Sequence, residues 1–332
     1  YRANEDDFHR ITLRQRVAVN MEGRSTRTTM IGEQVAMPVA IAPTGLTGMQ
    51  HADGEILGAR AAKAFGIPFT LSTMSICSIE DIAEHTGRHP FWFQLYVMRD
   101  RRFMERLIER ARAAYDAATE AMDLPGPDVP TQDLSLTASD GATLRARLYR
   151  GASGTLPALL FLHGGGYVLG GLESHDSLCR SLAQESGWAV LALDYRKAPE
   201  HRFPTAFRDA RDALAWLRAQ AHCLDLDPAR LAVGGDSVGG SLAAALCLDE
   251  RAHGRPQPLL QLLLYPCTAS HQDSASHLRL ARGHLLEKHT LDWMFDQYLR
   301  DPADRRDWRF APLAASDLAG LAPAYLAVGD HD

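Results

Sequence analysis

The stretch "RLAVGGDSVGGSLAAALCL", residues 230–248, passes from an apolar segment through a glycine-flanked turn into a segment rich in alanine and leucine. It reads as a strand, a sharp turn and a helix. The turn contains a GxSxG match, Gly235-Asp236-Ser237-Val238-Gly239. Such a match is common by chance, and the strand-turn-helix setting is what makes it informative. A serine at that turn sits in strained backbone with its hydroxyl exposed, and only neighbours without large side chains leave it room. A phosphate-binding loop would need a lysine that this turn lacks.

A second glycine cluster follows another apolar run in "FLHGGGYVLG", residues 161–170. Consecutive glycines let backbone N–H groups converge on one small volume, where the negative oxygen of a tetrahedral intermediate can be held. His163, just before them, is expected to be a structural histidine anchoring the loop. Around these motifs, strands are expected at about 133–138 and 143–149 and in "ALLFLHGGG", "AVLALDYR", "LAVGGDS", "QLLLYP" and the final "AYLAVG", with helices between most of them. This pattern implies an α/β sheet.

The first 98 residues have a rhythm of their own. "PVAIAPTG" (38–45), "FTLSTMS" (69–75) and "FWFQLYV" (91–97) alternate with helical stretches in a βαβαβ order that implies parallel strands. The spacing of Phe103, Leu107, Ile108 and Ala111 predicts a helix from Asp100 to about Met122, and "DLPGPDVP" (123–130) then stops it and reads as a linker. Two charge runs, "RDRR" (99–102) and "DRRDWR" (304–309), are expected to be solvated faces.

With 332 residues the chain can bury a large core, and its net charge of −6 gives no reason to expect nucleic acid or an anionic membrane as partner. Five cysteines (77, 179, 223, 247 and 267) form no CxxC pair, so neither a disulfide framework nor a metal site is signalled. No apolar run is long enough to span a bilayer. A cytoplasmic location is expected, although a chain that opens at Tyr1 rather than methionine says little about leaders.

"HGGGYVLG", "DYRKAPEHRFP" (194–204), "GDSVGG" and "LLLYP" (262–266) occur in the order found in hormone-sensitive-lipase-type α/β-hydrolase carboxylesterases, and residues 113–332 resemble that family. The resemblance implies a small ester as substrate and no cofactor. It also implies Ser237 as nucleophile and an oxyanion hole from Gly165, Gly166 and the N–H of Val238. The acidic member of the triad falls on Asp332, with Asp330 the other register. The resemblance implies that the family's histidine lies farther along than residue 332, and His331 is expected to point away from its neighbour, as successive side chains do on an extended segment. Residues 1–332 alone are therefore expected to show weak turnover or none. The last visible strand is expected to be an exposed apolar edge, open to self-association.

Residues 1–112 resemble a different family, the FMN-dependent 2-hydroxy-acid (L-lactate) dehydrogenases, through "PVAIAPTG", "HADGE", "ARAAKAFGIPFTLSTMS", "SIEDIA" and "FWFQLYV". That resemblance implies the opening strands of a TIM barrel. It places Ala42, Pro43 and Thr44 along a flavin ring, with Ser72, Gln94 and Tyr96 hydrogen-bonding it, at the strand ends where such barrels keep their sites. His51 is expected to be a surface or structural residue. The join falls within "LIERARAAYDAATEAM" (107–122). The expected fold class is thus an incomplete α/β-hydrolase sheet preceded by a partial TIM-barrel fragment. The principal functional expectation is an ester-hydrolase architecture; the alternatives are FMN-dependent oxidation of L-lactate or another 2-hydroxy acid, and a non-catalytic ligand-binding protein. At most weak FMN binding is expected, and a flavin absorbance spectrum that persists after desalting the purified protein would contradict this.

Overall fold

The computed structural model describes residues 23–87, 89–94, 101–122, 126–281 and 286–329. The chain divides into two compact units, Tyr1–Tyr96 and Val97–Asp332.

In the first unit, β1 (Thr28–Met30) and β2 (Glu33–Val35) form an antiparallel hairpin that the sequence reading did not anticipate. Helix α1 (Gly54–Phe65), β3 (Thr70–Ser72), α2 (Ile79–His85) and β4 (Trp92–Gln94) follow. β3 and β4 pair in parallel, and the predicted strand "PVAIAPTG" contributes one parallel bridge, Ile41 to Phe69. Ile56, Ala59, Ala62, Phe69, Leu71 and Ile82 form the core beneath them. A capping box starts α2: the Asp81 N–H donates to Ser78 Oγ (3.0 Å) and the Ser78 N–H to Asp81 Oδ2 (2.8 Å).

The second unit opens with α3 (Arg101–Met122), within a residue of the predicted helix. The predicted linker does not act as a spacer where it is described. Val129 is buried and its carbonyl accepts from Arg180 Nη1 (3.3 Å). Seven strands follow: β5 (Thr131–Thr137), β6 (Thr143–Arg150), β7 (Leu156–Leu162), β8 (Ala189–Asp194), β9 (Leu226–Asp236), β10 (Gln261–Leu264) and β11 (Ala324–Ala327). They form one sheet in the order β11-β10-β9-β7-β8-β6-β5, parallel from β11 to β8 and antiparallel beyond.

The burial patterns follow from this layout. β7 is buried along its whole length because both faces of a central parallel strand are covered. One face packs Leu160, Leu162, Leu191 and Val233 against α5 (Thr205–Gln220) and α6 (Val238–Ala252); the other packs Leu159, Phe161 and Val190 against α4 (Asp176–Ser186). A last helix, α7 (Lys288–Tyr298), joins the first of these layers. At the opposite edge from β5, β11 leaves Tyr325 and Leu326 each 60% exposed.

The charge run 304–309 is not a solvated face. Asp304 is 6% exposed and accepts from Arg300 Nη2 (2.6 Å), Trp308 packs edge-to-face on Phe207, and the adjacent Phe310 is buried. Its charges pair with Arg300, with Asp296 and, within the run, as Arg309 with Asp307, while the aromatic groups turn inward. The run 99–102 lies outside the residues described with side chains.

Leu160 is fully buried in the central strand. Leu160→Ala is expected to destabilise the second unit by about 2–5 kcal/mol through lost burial and a residual cavity, read as a lower midpoint in urea unfolding.

Candidate active site

The chain passes from β7 to β8 on one side and then back across β7 to β9. Consecutive loops thereby leave the carboxyl ends of β7 and β9 in opposite directions and open a crevice there, the usual ligand position in such sheets. The glycine loop follows β7 and Ser237 follows β9.

Ser237 has φ 52° and ψ −122°, a conformation that costs a non-glycine residue about 1–3 kcal/mol. Its surroundings fix it. The Ser237 N–H donates to the Leu264 carbonyl (2.8 Å), and its own carbonyl accepts from the N–H groups of Ser241 (3.2 Å) and Cys267 (3.3 Å). A Cβ on Gly239 would lie 1.8 Å from the Leu162 carbonyl oxygen, and one on Gly235 2.2 Å from the same atom, so the turn closes only with glycine at both positions. The Ser237 hydroxyl lies 3.8 Å from the Cys267 thiol. Among the described residues, no histidine ring or carboxylate hydrogen-bonds to it.

The glycine loop is tied to this turn from below. The Gly164 N–H donates to Asp236 Oδ1 (2.8 Å), which places Gly165 and Gly166 beside the residue before Ser237. Among the described residues, neither the Gly165 nor the Gly166 N–H has a protein acceptor. Val238 begins α6, where the first N–H groups have no acceptor within the helix. Met294 and Tyr298 of α7 cover the loop: a Cβ on Gly166 would lie 2.2 Å from Met294 Sδ, and Tyr167 stacks on Tyr298 at 3.8 Å between ring centroids.

His163 is structural, as its position suggested. Its Nδ1 donates to the Gly164 carbonyl (2.7 Å), its ring stacks on Tyr195 at 4.2 Å, and its backbone carbonyl accepts from the Tyr195 hydroxyl (2.7 Å). Among the described residues, its buried Nε2 has no hydrogen-bond partner. Burial, reinforced by Lys197 and His175, holds the ring well below the usual histidine range, so it stays neutral.

Several supporting residues were not anticipated. His175 Nε2 lies 3.2 Å from Asp236 Oδ1, and both side chains are buried. Asp236 lies inside the motif and could have been singled out as a carboxylate at the end of an apolar strand; His175 carries no such signal. Arg112, the last residue of the segment assigned to the flavin family, belongs by its contacts to the second unit. Its Nε donates to the Val168 carbonyl (2.7 Å) and its Nη2 to the Ala198 carbonyl (2.7 Å), joining the glycine loop to the segment after β8. Arg196 in that segment makes a two-pronged contact with fully buried Asp209 of α5. Asp330, His331, Asp332 and Tyr96 lie outside the described residues.

In the first unit, parallel pairing sets Ser72 opposite Gln94 at one end of β3 and β4. Ser72 Oγ donates to Gln94 Oε1 (3.3 Å) and accepts from the Met74 N–H (3.1 Å), while Ala42 and Thr44 are exposed. Ser72 and Gln94 are engaged with each other, and among the described residues none of these side chains is a buried polar group without a partner. Among the described residues, no cluster of histidine, cysteine and acidic side chains is arranged to hold a metal, no disulfide links the cysteines, and no helix is long and apolar enough to cross a membrane.

Comparison with known proteins finds two families, whose matched ranges meet between residues 154 and 159 rather than at the Tyr96/Val97 boundary of the compact units. A family described as alpha/beta hydrolase fold matches residues 159–332, and one described as FMN-dependent dehydrogenase matches residues 1–154. An ethyl acetate hydrolase of Pseudomonas putida is 49% identical over 207 residues, 60% of this chain and 64% of that protein. A carboxylic ester hydrolase of Mycobacterium tuberculosis is 44% identical over 68% of this chain and 61% of its own length. An L-lactate dehydrogenase of Xanthomonas campestris is 42% identical over 58% of this chain and 50% of that protein. The chain thus spans less than two thirds of these curated relatives. Among solved structures, a thermostable esterase from Pseudomonas putida superposes with a TM-score of 0.65 at 33% identity, covering 68% of this chain and 71% of that one. A carboxylesterase cloned from a metagenomic library gives 0.62 at 37% identity, covering 65% and 75%. The sequence is that of a chimera, and the dehydrogenase match makes FMN a candidate cofactor for its amino-terminal part alone.

The neutral state of His163 sets a pH dependence. An unfolded histidine takes up a proton below about pH 6.5, whereas the folded ring does not. The unfolded state then binds more protons, so stability falls as pH drops below that value and the effect is absent above it. Urea unfolding between pH 7.5 and 5 is expected to show wild-type stability falling more steeply than that of His163→Gln, by up to about 1.4 kcal/mol per pH unit. Parallel pH profiles would contradict this assignment.

Proposed function

The chain belongs to the α/β-hydrolase fold family, and from that premise we propose that its second unit is built to cleave small carboxylic esters with Ser237 as nucleophile. The observation that carries this reading is the strained backbone of Ser237, φ 52° and ψ −122°, at a strand-to-helix turn tied through Asp236 to the glycine loop. The hydrolase and esterase names of the relatives support the same reaction class.

In the proposed reaction, Ser237 Oγ attacks the ester carbonyl carbon as a base removes its proton. The carbonyl oxygen becomes negative and is held by the N–H groups of Gly165, Gly166 and Val238. Collapse breaks the bond to the alcohol, which leaves with a proton, and water then releases the acid from the acyl-serine. Asp332 is the proposed acidic partner of the base. This chemistry uses neither metal nor organic cofactor. Since no histidine among the described residues reaches Ser237 Oγ, turnover is proposed to be slow, with about 10³–10⁴ over water as the residual that oxyanion stabilisation and binding alone leave in the serine-protease template.

For the amino-terminal part, which runs past the first unit into α3, we propose that residues 1–112 are the opening of a β/α barrel, with the family join inside α3. The Ile41–Phe69 bridge, β3 and β4, with α1 and α2 between them, support this. The flavin match favours 2-hydroxy-acid oxidation as the second reading, confined to this part.

Hydrolysis of a short-chain p-nitrophenyl ester, with and without added imidazole as an external base, tests the serine assignment. After the imidazole-catalysed release measured without protein is subtracted, slow release that imidazole accelerates in the wild type but not in Ser237→Ala is expected. Equal imidazole responses in the two proteins would remove Ser237 from the reaction.

A further inference from the structure

We propose that Asp236 is a positioning residue: it sets the oxyanion-binding loop in register with the nucleophile through the Gly164 N–H, with His175 and Ser174 completing the link. The proposal rests on the ester-hydrolase reading above and assigns a role to a side chain that touches no reacting atom.

Asp236 is the last residue of β9 and stands directly before Ser237, with only 7% of its surface exposed. A carboxylate buried to this extent is costly unless donors surround it. Its Oδ1 accepts from the Gly164 N–H at 2.8 Å, and His175 Nε2 lies 3.2 Å from the same oxygen. The space around the carboxylate is closed by the loop itself, since a Cβ on Gly164 would lie 2.2 Å from Asp236 Oδ2. Beyond Asp236, His175 Nδ1 meets Ser174 Oγ at 2.9 Å, and Ser174 Oγ accepts from the Gly171 N–H at 3.0 Å. One run of polar contacts therefore joins Gly164, at the start of the glycine loop, to Gly171, at its end, and passes through the residue that leads into Ser237.

The chemical consequence follows from tolerance. A displacement of about 1 Å at a reacting centre can cost about 10²-fold in rate. An anchor at Gly164 fixes the N–H groups one and two residues farther on, which are those assigned to the oxyanion. Its loss should weaken the hold on a tetrahedral anion and leave recognition of a planar, neutral ligand unchanged.

An alkylboronic acid is a suitable probe. Ser237 Oγ adds to boron to form a B–O bond, the hydroxyl proton passes to water, and the adduct is a tetrahedral anion. Affinity for it is compared with that for a neutral amide of the same alkyl length in the wild type and in Asp236→Ala, Asp236→Ser and Asp236→Asn. The expected result is a loss of boronate affinity of about 10²-fold in the Ala and Ser variants with amide affinity unchanged. Asp236→Asn, which keeps an acceptor for the Gly164 N–H, should stay close to wild type. Should Asp236→Ala fail to fold, the Ser and Asn variants carry the same comparison. Wild-type boronate affinity in Asp236→Ala or Asp236→Ser, a loss in Asn equal to that in Ala or Ser, or a parallel loss for boronate and amide would overturn the proposal.

Ser237→Ala separates this outcome from failure of the ester-hydrolase reading. If boronate binds Ser237→Ala as well as wild type, that reading fails. The anchor itself is then decided by amide hydrogen exchange at residues 164–166: faster exchange in the Ala and Ser variants but not in Asn supports it, and unchanged exchange in all three overturns it.

Discussion

The close approach of the β9–α6 turn to the end of β7 is the constraint on which the second unit's site depends. Parallel pairing brings Leu162 and Gly235 side by side, and α6 must start against the Leu162 carbonyl. Side chains at Gly235 and Gly239 would collide with that oxygen, so the approach exists only because both are absent. Once the turn is pressed into this position, Ser237 is forced to a positive φ, and the hydrogen bonds to Leu264, Ser241 and Cys267 hold it there. The strain at Ser237 is small compared with the packing that imposes it, which includes β7 buried along its whole length.

A second consequence of this packing is that polar groups are trapped below the crevice. Asp236, His163 and His175 are all buried: the first two meet Gly164 of the glycine loop, and His175 meets Asp236 at the end of β9. Tyr195 supports His163 from the end of β8, and Arg112 fastens Val168 and Ala198 from α3. The loops that carry the proposed chemistry are thus braced by the segments that close the strands. The site is difficult to alter piecemeal, because buried polar groups in contact with each other do not respond independently to substitution.

The legible part of this arrangement was local. Apolar runs at β7, β8 and β9 announce parallel strands, the glycines around Ser237 announce a tight turn, and the spacing of Phe103, Leu107, Ile108 and Ala111 announces α3. The missing part was long-range. Nothing in the local pattern of Arg112 or His175 tells that one bonds the Val168 and Ala198 carbonyls and the other meets Asp236, because each depends on how distant segments meet. The run 304–309 misled for a related reason: acidic and basic residues that look solvated in sequence pair at short range, with Arg300 and Asp296 outside the run as well as within it, while the aromatic neighbours turn inward. In the first unit, "PVAIAPTG" has strand composition but only Ile41 finds a pairing partner among the described residues, so β-propensity alone overstated its length.

The most direct measurement is peptide mapping by mass spectrometry after incubation with an alkyl fluorophosphonate, which transfers phosphorus to an oxygen nucleophile with loss of fluoride. The reagent responds to a serine hydroxyl that is exposed and lies beside donors able to hold a phosphoryl oxygen, even when reaction is slow. The account predicts that Ser237 is labelled ahead of every other serine in the chain. Labelling spread evenly over several serines, with Ser237 no faster than the rest, would contradict it.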